Sequence, residues 1–205
     1  MGRKSVHKER IDNDKAREKL VTKCMVYFQN HGTSATMSKL AKEISVSKTT
    51  IYNHFKTKED LVHEATKMKL SIISDYESVL QNKTLPYLER YRKAMLFFCV
   101  QFFDISSQYL KDMENDFPKT WKLMVKFQEK VSSDLLIYYR QGLEKGIFIS
   151  SVSPELLTLN DHLFFQSLSN PKGLKKYNIS VLDAFKHHFQ TKFFSIIEDG
   201  KSSSF

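Results

Sequence analysis

The chain has 205 residues, of which 41% are hydrophobic and 27% charged, and its formal net charge is +9. This length can hold one or two domains and bury a substantial core. The positive charge is unevenly distributed along the chain. Residues 1–60 hold 13 Lys and Arg against 7 Asp and Glu, a net charge of +6, and the remaining residues have a net charge of +3. A basic N-terminal third suits a polyanionic partner, although an ordinary solvated surface can carry the same charge.

The N-terminus is charged and has no apolar core, so it does not read as a secretory signal. The densest apolar run, residues 94–105, is shorter than the roughly 20 residues that a membrane span needs. We therefore expect a cytoplasmic protein without a membrane segment. Cys24 and Cys99 fall in apolar helical patterns, which predicts buried free thiols, with a redox-sensing thiol as the alternative.

Apolar residues recur at helical spacing, and no alternating strand pattern is evident. In the N-terminal part, a first helix is predicted to end at Gly32, a residue suited to the position after a helix. Thr36 and Ser47 are placed to cap two short helices. Thr57 begins a capping box, and the helix it starts is predicted to run to about Leu80.

In the C-terminal part, helices are predicted over residues 86–107, from Pro118 to between 142 and 146, over 154–168, and over 182–196. The predicted fold class is therefore all-α, with about nine helices.

Residues 36–61 carry the strongest functional signal, because they read as two short helices joined by a tight turn. A helix-turn-helix protein presents the start of its second helix to the major groove of DNA. Side chains able to contact base edges are Ser47, Lys48, Thr49, Thr50 and Asn53. Side chains able to contact phosphates are Thr36, Ser38, Tyr52, His54 and Lys58. The alternative is a solvated helical hairpin.

A longer residue pattern surrounds this segment: Leu20, Cys24, Tyr27, Phe28, Gly32, Thr36, Leu40-Ala41, Val46-Ser47, Ile51-Tyr52, His54-Phe55, Lys58-Glu59 and Leu61. At this spacing the pattern resembles the N-terminal domain of the TetR family of bacterial transcriptional repressors. The family usually has Gly in the turn, where this chain has Ser45, and a positive φ there is costly for a residue other than Gly. The resemblance implies that Tyr52 and Lys58 touch the DNA backbone.

The C-terminal part is rich in aromatic residues, which suggests an apolar pocket with a few polar groups. The predicted pocket residues are Phe98, Gln101, Phe102, Trp121, Phe127, Gln128, Tyr138, His162 and Phe165. For any one aromatic residue, simple core packing is the alternative. The TetR resemblance implies a small-molecule effector in this part, and the aromatic lining predicts that it is mostly hydrophobic.

The last two predicted helices show more apolar surface than one small body readily hides, so we expect a homodimer. The residues predicted at its interface are Leu156, Leu163, Phe185 and Phe189. A four-helix interface is the arrangement that the resemblance implies, and a monomer is the alternative. The neighbouring residues Asp161-His162 and His187-His188 lack metal-ligand spacing, which favours polar surface or helix-interface histidines. No nucleophile elbow or Gly-rich phosphate loop occurs. We predict no metal, no cofactor and no enzyme activity.

The sequence thus predicts a TetR-like regulator, with residues 1–60 forming a three-helix DNA-binding domain and residues 61–205 binding the effector and dimerising. As a repressor, it would bind a pseudo-palindromic operator as a dimer. One alternative is a small-molecule binding protein whose helix-turn-helix no longer binds DNA specifically, and another is an α-helical enzyme. Neither the effector nor the choice between repression and activation is written in the sequence.

Overall fold

A computed structural model describes residues 2–103, 105–168, 174 and 176–197, with the backbone alone for residues 2–12 and Phe103. The predicted all-α class is confirmed. The helices are α1 (Gly2–His31), α2 (Met37–Glu43), α3 (Lys48–His54), α4 (Lys58–Ile73), α5 (Tyr76–Leu80), α6 (Tyr87–Phe103), α7 (Ser107–Asp116), α8 (Pro118–Glu144), α9 (Pro154–Leu168) and α10 (Val181–Phe194). Within these ranges, extended pairing is limited to one antiparallel bridge between Phe148 and Ile197.

The first compact unit comprises Met1–Ser71 and Ile105–Leu123. Its core contains Cys24, Phe28, Leu40, Ile51 and Leu61, each fully buried. Helix α7 belongs to this unit and was not predicted. It escapes detection because Tyr109 and Met113 are the apolar residues of its buried stripe, and an acid, Asp112, lies between them.

The helix predicted from Thr57 to about Leu80 is interrupted, which corrects that expectation. Helix α4 ends at Ile73, and the N–H of Asp75 then donates to the carbonyl of Ile72 at 3.3 Å, a three-residue turn. Ile73 and Tyr76 are both fully buried. The apolar stripe continues through the break, and no Gly or Pro marks it, so periodicity alone conceals the interruption.

The second compact unit comprises Ile72–Asp104 and Met124–Phe205. Aromatic side chains dominate its core, and Tyr91, Tyr139 and Phe193 are fully buried. Gly142 is required in α8, because a Cβ there would lie 2.2 Å from the ring of Phe148. In the described part of the chain, no helix is both long enough and apolar enough to cross a bilayer.

Candidate functional site

The two short helices of the first unit each begin on a hydroxyl. The Thr36 hydroxyl accepts the N–H of Lys39 at 3.2 Å, and the Ser47 hydroxyl accepts the N–H of Thr50 at 2.9 Å. Both capping residues have extended backbones, with φ −66° at Thr36 and −73° at Ser47. These caps satisfy N–H groups that have no partner inside the helix. Both predicted caps are confirmed.

The turn between α2 and α3 passes through Ser45, whose φ is +55°. Ser45 thus adopts the left-handed conformation that Gly accepts more readily, so the cost noted from the sequence applies here. The N–H of Ser45 donates to Lys42 at 3.2 Å, and the N–H of Val46 donates to Ala41 at 2.9 Å. From α1, the ammonium of Lys23 donates to the carbonyl of Ile44 at 3.2 Å. The turn is therefore held by its own backbone and by α1.

Helix α3 has one buried side and one open side. Ile51 and the following Phe55 are buried, with exposed fractions of 0% and 3%. Side chains on the open side are exposed and polar or aromatic: Lys48, Thr49, Thr50, Tyr52 and Asn53. The Lys48 ammonium lies 5.6 Å from the centre of the Tyr52 ring. Burial fixes the helix in place and leaves this row free to contact a partner.

Two of the predicted base-contacting residues already have local partners. The hydroxyls of Ser47 and Thr50 lie 2.7 Å apart, and the Ser47 hydroxyl also caps α3. Lys48, Thr49 and Asn53 have no such role among the described contacts. Sequence reasoning gave all five the same weight, because a cap residue and a base-reading residue are chemically alike.

At the start of α4, the Thr57 hydroxyl donates to the Asp60 carboxylate at 2.7 Å and accepts the N–H of Asp60 at 3.0 Å. The predicted hydrogen bond from the Asp60 amide to the Thr57 hydroxyl is confirmed. The Asp60 carboxylate, however, accepts from the Thr57 hydroxyl instead of the Thr57 amide. Lys58, next in the chain, is half-buried. Burial lowers the pKa of Lys58, and the nearby carboxylates of Asp112 and Asp116 oppose that shift.

Arg17 joins three helices of this unit. Its guanidinium lies 4.8 Å from the centre of the Phe55 ring, at the end of α3. It also lies 3.1 Å from the Glu64 carboxylate on α4. Burial of Glu64 alone would raise its pKa, but hydrogen bonds from Arg17 and Lys67 bring the pKa below its usual value. One α1 side chain thus holds the exit of α3 against α4.

The segment that contains these capped helices also matches a protein-family model. Residues 25–65, which hold the capped helices and the start of α4, match the family model of bacterial regulatory proteins, tetR family. Over these residues the chain is therefore similar to the DNA-binding domain of the TetR family. The expected resemblance is therefore confirmed, with the family's usual turn Gly replaced by Ser45.

Solved structures extend this similarity along most of the chain. A protein assigned as a transcriptional regulator from Saccharomonospora viridis, solved in complex with choline, is 17% identical, with 90% of this chain and 99% of that chain covered at a TM-score of 0.77. A TetR regulator from Chloroflexus aurantiacus is 14% identical, with 91% and 99% covered and a TM-score of 0.72.

The ketosteroid transcriptional regulator of Mycobacterium tuberculosis is 13% identical, with 89% of this chain and 95% of that chain covered and a TM-score of 0.62. At these identities the matches establish a shared TetR-like fold. No curated protein sequence matches the chain.

Beyond residues 25–65, the residues predicted for an effector pocket range from buried to exposed. Phe98 stacks on Phe102 with ring centroids 5.4 Å apart, and it meets Phe165 at 5.2 Å. The other predicted residues are Phe127 and Tyr138, which are buried, Gln101 and Trp121, which are half-buried, and Gln128 and His162, which are exposed. The assignment of these residues to an effector stays a prediction.

The four residues predicted for a dimer interface fall into two groups. Leu156 and Leu163, on α9, are 67% and 54% exposed. Phe185 and Phe189, on α10, are buried within their own chain. Leu159 is 50% exposed and joins the first group, since residues 156, 159 and 163 share one helix face.

A buried charged cluster in the second unit was missed by sequence reasoning. The Asp161 carboxylate is fully buried, and the hydroxyls of Tyr91 and Tyr139 each donate to it at 2.5 Å. The Lys192 ammonium donates to the same carboxylate, and His188 Nε2 lies 3.0 Å from Oδ1. His188 is therefore a helix-interface histidine, as the sequence favoured.

Burial alone would raise the pKa of Asp161, but the charge of Lys192 and hydrogen bonds from His188 and Tyr139 bring it below the ordinary value. Burial lowers the pKa of Lys192, against the opposing charge of Asp161. The ammonium also lies 4.7 Å from the Tyr139 ring centre. The sequence contains no local signal of this cluster, because polar residues make up half of α10.

Proposed function

We propose that the chain is a transcriptional repressor that binds a pseudo-palindromic DNA operator as a homodimer and responds to a small, mostly hydrophobic effector. In this proposal residues 1–60 read DNA, and residues 61–205 bind the effector and form the dimer. The observation that carries it is the open side of α3, where Lys48, Thr49 and Asn53 are exposed on a helix fixed by burial of Ile51.

The chemistry of that open side suits a major groove. Lys48 matches guanine acceptors, Asn53 matches the adenine edge, and the Thr49 methyl matches the thymine methyl. Tyr52 and Lys58 flank these residues and would bind phosphates. Because phosphate contacts carry no sequence information, they position the protein while the base contacts select the site.

Dimerisation supplies the second reading helix. Leu156, Leu159 and Leu163 form an exposed apolar face on α9, and a second copy would cover it. Two-fold symmetry then pairs the two α3 helices on half-sites about one helical turn apart. Phe185 and Phe189 are buried within one chain, so in this proposal the α9 leucines supply the exposed contact.

An effector would act by changing the separation of the two reading helices. Couplings of this kind are typically about 1–3 kcal/mol, or roughly 5–150-fold in affinity. The name of the Mycobacterium tuberculosis protein refers to a ketosteroid, and the Saccharomonospora viridis protein was solved with choline. Small-molecule binding in proteins of this fold supports the same kind of control here.

The test is selection of bound fragments from the source genome by the purified protein at near-physiological salt. We expect enrichment of one short inverted repeat upstream of a gene. A variant carrying Lys48→Ala and Asn53→Ala should lose that enrichment, and Lys83→Ala, which removes an exposed lysine of the second unit, should retain it. Recovery of random fragments, or of none, would establish the alternative of a binding protein that no longer reads sequence.

A further inference from the structure

A groove in the second unit lies between α6 and α10, with a cavity volume of about 140 Å³. Leu96 of α6 and Phe185 and Phe189 of α10 form its walls. Leu182 lines it as well and is 56% exposed, so the groove opens to solvent. Among the described residues, none of those predicted for the effector pocket lines it.

The size of the groove suits a compact apolar group. An engineered protein cavity of roughly 150 Å³ lined by Leu, Ile and Phe stays dry and binds benzene. The apolar walls of the groove are likewise Leu and Phe, and three charged residues, Arg92, Asp183 and Lys186, line it as well. A ring or short chain of about six carbons therefore matches both the volume and the lining.

Charged side chains at the groove differ in their availability. Arg92 already donates two hydrogen bonds to Glu89, at 2.6 and 2.7 Å. Asp183 belongs to the cap of α10, where its carboxylate accepts the Ser180 hydroxyl at 2.6 Å. Lys186 is exposed and forms no ion pair with any residue that the structure describes.

We propose that this groove binds a small carboxylic acid whose apolar body fills the space between Leu96, Phe185 and Phe189 and whose carboxylate pairs with Lys186. Glu89 balances the charge of Arg92, and Asp183 is engaged in the cap of α10. Among the described lining residues, Lys186 is therefore the cation available to the ligand. The Lys186 ammonium, next to this apolar groove, favours binding of an anion over a neutral or cationic molecule of the same shape. This site does not depend on DNA binding by the first unit.

The experiment titrates the full-length protein, without DNA, with phenylacetate, phenylacetamide and phenethylamine, and follows methyl and aromatic NMR signals. These probes share a phenyl ring and carry a negative, a neutral and a positive head. We expect phenylacetate to bind most tightly and phenethylamine least, with shifts at Leu96, Leu182 and the two phenylalanines. Equal affinities, or shifts confined to other residues, would overturn the proposal.

Two variants locate the charge. Lys186→Gln should weaken phenylacetate binding by up to about fivefold, the upper end for an exposed ion pair, and leave phenylacetamide binding unchanged. Lys93→Gln is the matched control, because Lys93 is an exposed lysine on α6 that does not line the groove. Equal losses in the two variants would place the carboxylate elsewhere and contradict the proposal.

Leu182→Asp places a negative charge at the groove without emptying the core, because Leu182 is exposed. Phenylacetate binding should be lost, and the mass of the protein in solution should not change. If this variant changed the oligomeric mass, the groove would be a contact with a second copy, and the ligand proposal would be wrong. Failure here leaves DNA binding untouched, because fragment selection measures it separately.

Discussion

The carboxylate of Asp112 binds Thr33 twice through one oxygen, accepting the backbone N–H at 2.5 Å and the hydroxyl at 3.0 Å. Its other oxygen accepts Gln108 Nε2 at 2.6 Å. Gly32, the preceding residue, has φ +70°, and a Cβ there would lie 2.7 Å from Asp112 Oδ2. Helix α7 is thus fastened to the segment that leads from α1 into α2.

Asp112→Ala should destabilise the first unit by about 1–3 kcal/mol, because it leaves the buried N–H of Thr33 without its acceptor. The chain's single tryptophan, Trp121, lies in this unit, so urea unfolding followed by tryptophan fluorescence reports the change. Asp116→Ala, at an exposed acid of the same helix, is the control and should leave the midpoint nearly unchanged. Equal effects of the two variants would contradict the structural role of Asp112.

Ser45→Gly should stabilise the first unit by about 0.5–1 kcal/mol. The left-handed conformation at φ +55° strains a residue with a Cβ and costs Gly nothing. The same unfolding experiment measures the gain. Ser38→Gly, at an exposed position inside α2, should instead lower stability by about 0.5–1 kcal/mol. A loss of stability in Ser45→Gly would mean that the hydroxyl contributes more than the strain removes.

Lys192→Met should destabilise the protein by about 3–5 kcal/mol, because it leaves the buried Asp161 carboxylate without its counter-charge. Adding Asp161→Asn should recover most of that loss, since the amide keeps acceptor and donor atoms for Tyr91 and Tyr139. Chemical unfolding of the single variants and the double variant measures the coupling. Additive losses would show that the two charges do not act as a pair.

The pH dependence of this pair changes sign in the variant. In the native chain the pKa of Asp161 is lowered. Its contribution is therefore complete above the unfolded value of about 3.9 and is lost as the pH falls through the folded value. Without Lys192, burial raises the pKa of Asp161, so the folded variant binds more protons. The stability of Lys192→Met should rise as the pH falls from 7 towards about 5, a range in which the native Asp161 carboxylate stays charged.

Lys58→Ala and Asn53→Ala should affect operator binding differently. Loss of a phosphate contact at Lys58 should weaken binding to all duplexes similarly and flatten the salt dependence by about one unit. Loss of the Asn53 amide should relax selection at one base pair, by about 1–3 kcal/mol. Binding curves on a set of single-base operator variants at several salt concentrations measure both. Indistinguishable behaviour would refute the division into phosphate and base contacts.

Leu156→Asp combined with Leu163→Asp should yield a monomer, because two carboxylates would be buried without partners in a dimer. Light scattering after size-exclusion chromatography measures the mass. The control is Ile137→Asp, since Ile137 is 51% exposed on α8, outside the proposed interface. A dimer that survives the double variant would move the interface away from this face of α9.

The sequence predicted the features that depend on local chemistry. The caps at Thr36 and Ser47 follow from what single residue types do at helix ends. Helix α7 was missed because it is only ten residues long and its buried apolar stripe consists of Tyr109 and Met113 alone. The break after Ile73 was missed because the apolar stripe runs through it.

Long-range pairing was beyond local reasoning. Asp161 and Lys192 are 31 positions apart, and no spacing rule brings them together. The same holds for Phe185 and Phe189. Their helical pattern showed an apolar face correctly, but the pattern cannot tell whether that face is covered by the same chain or by a second copy.

The first unit is assembled from two separate stretches of chain, Met1–Ser71 and Ile105–Leu123. Thr66 in the first stretch bonds Tyr109 in the second, with 2.5 Å between their oxygen atoms. Recombination at a single point after residue 71 would therefore separate residues that pack together. A chimaera that transplants the first unit must therefore import both stretches.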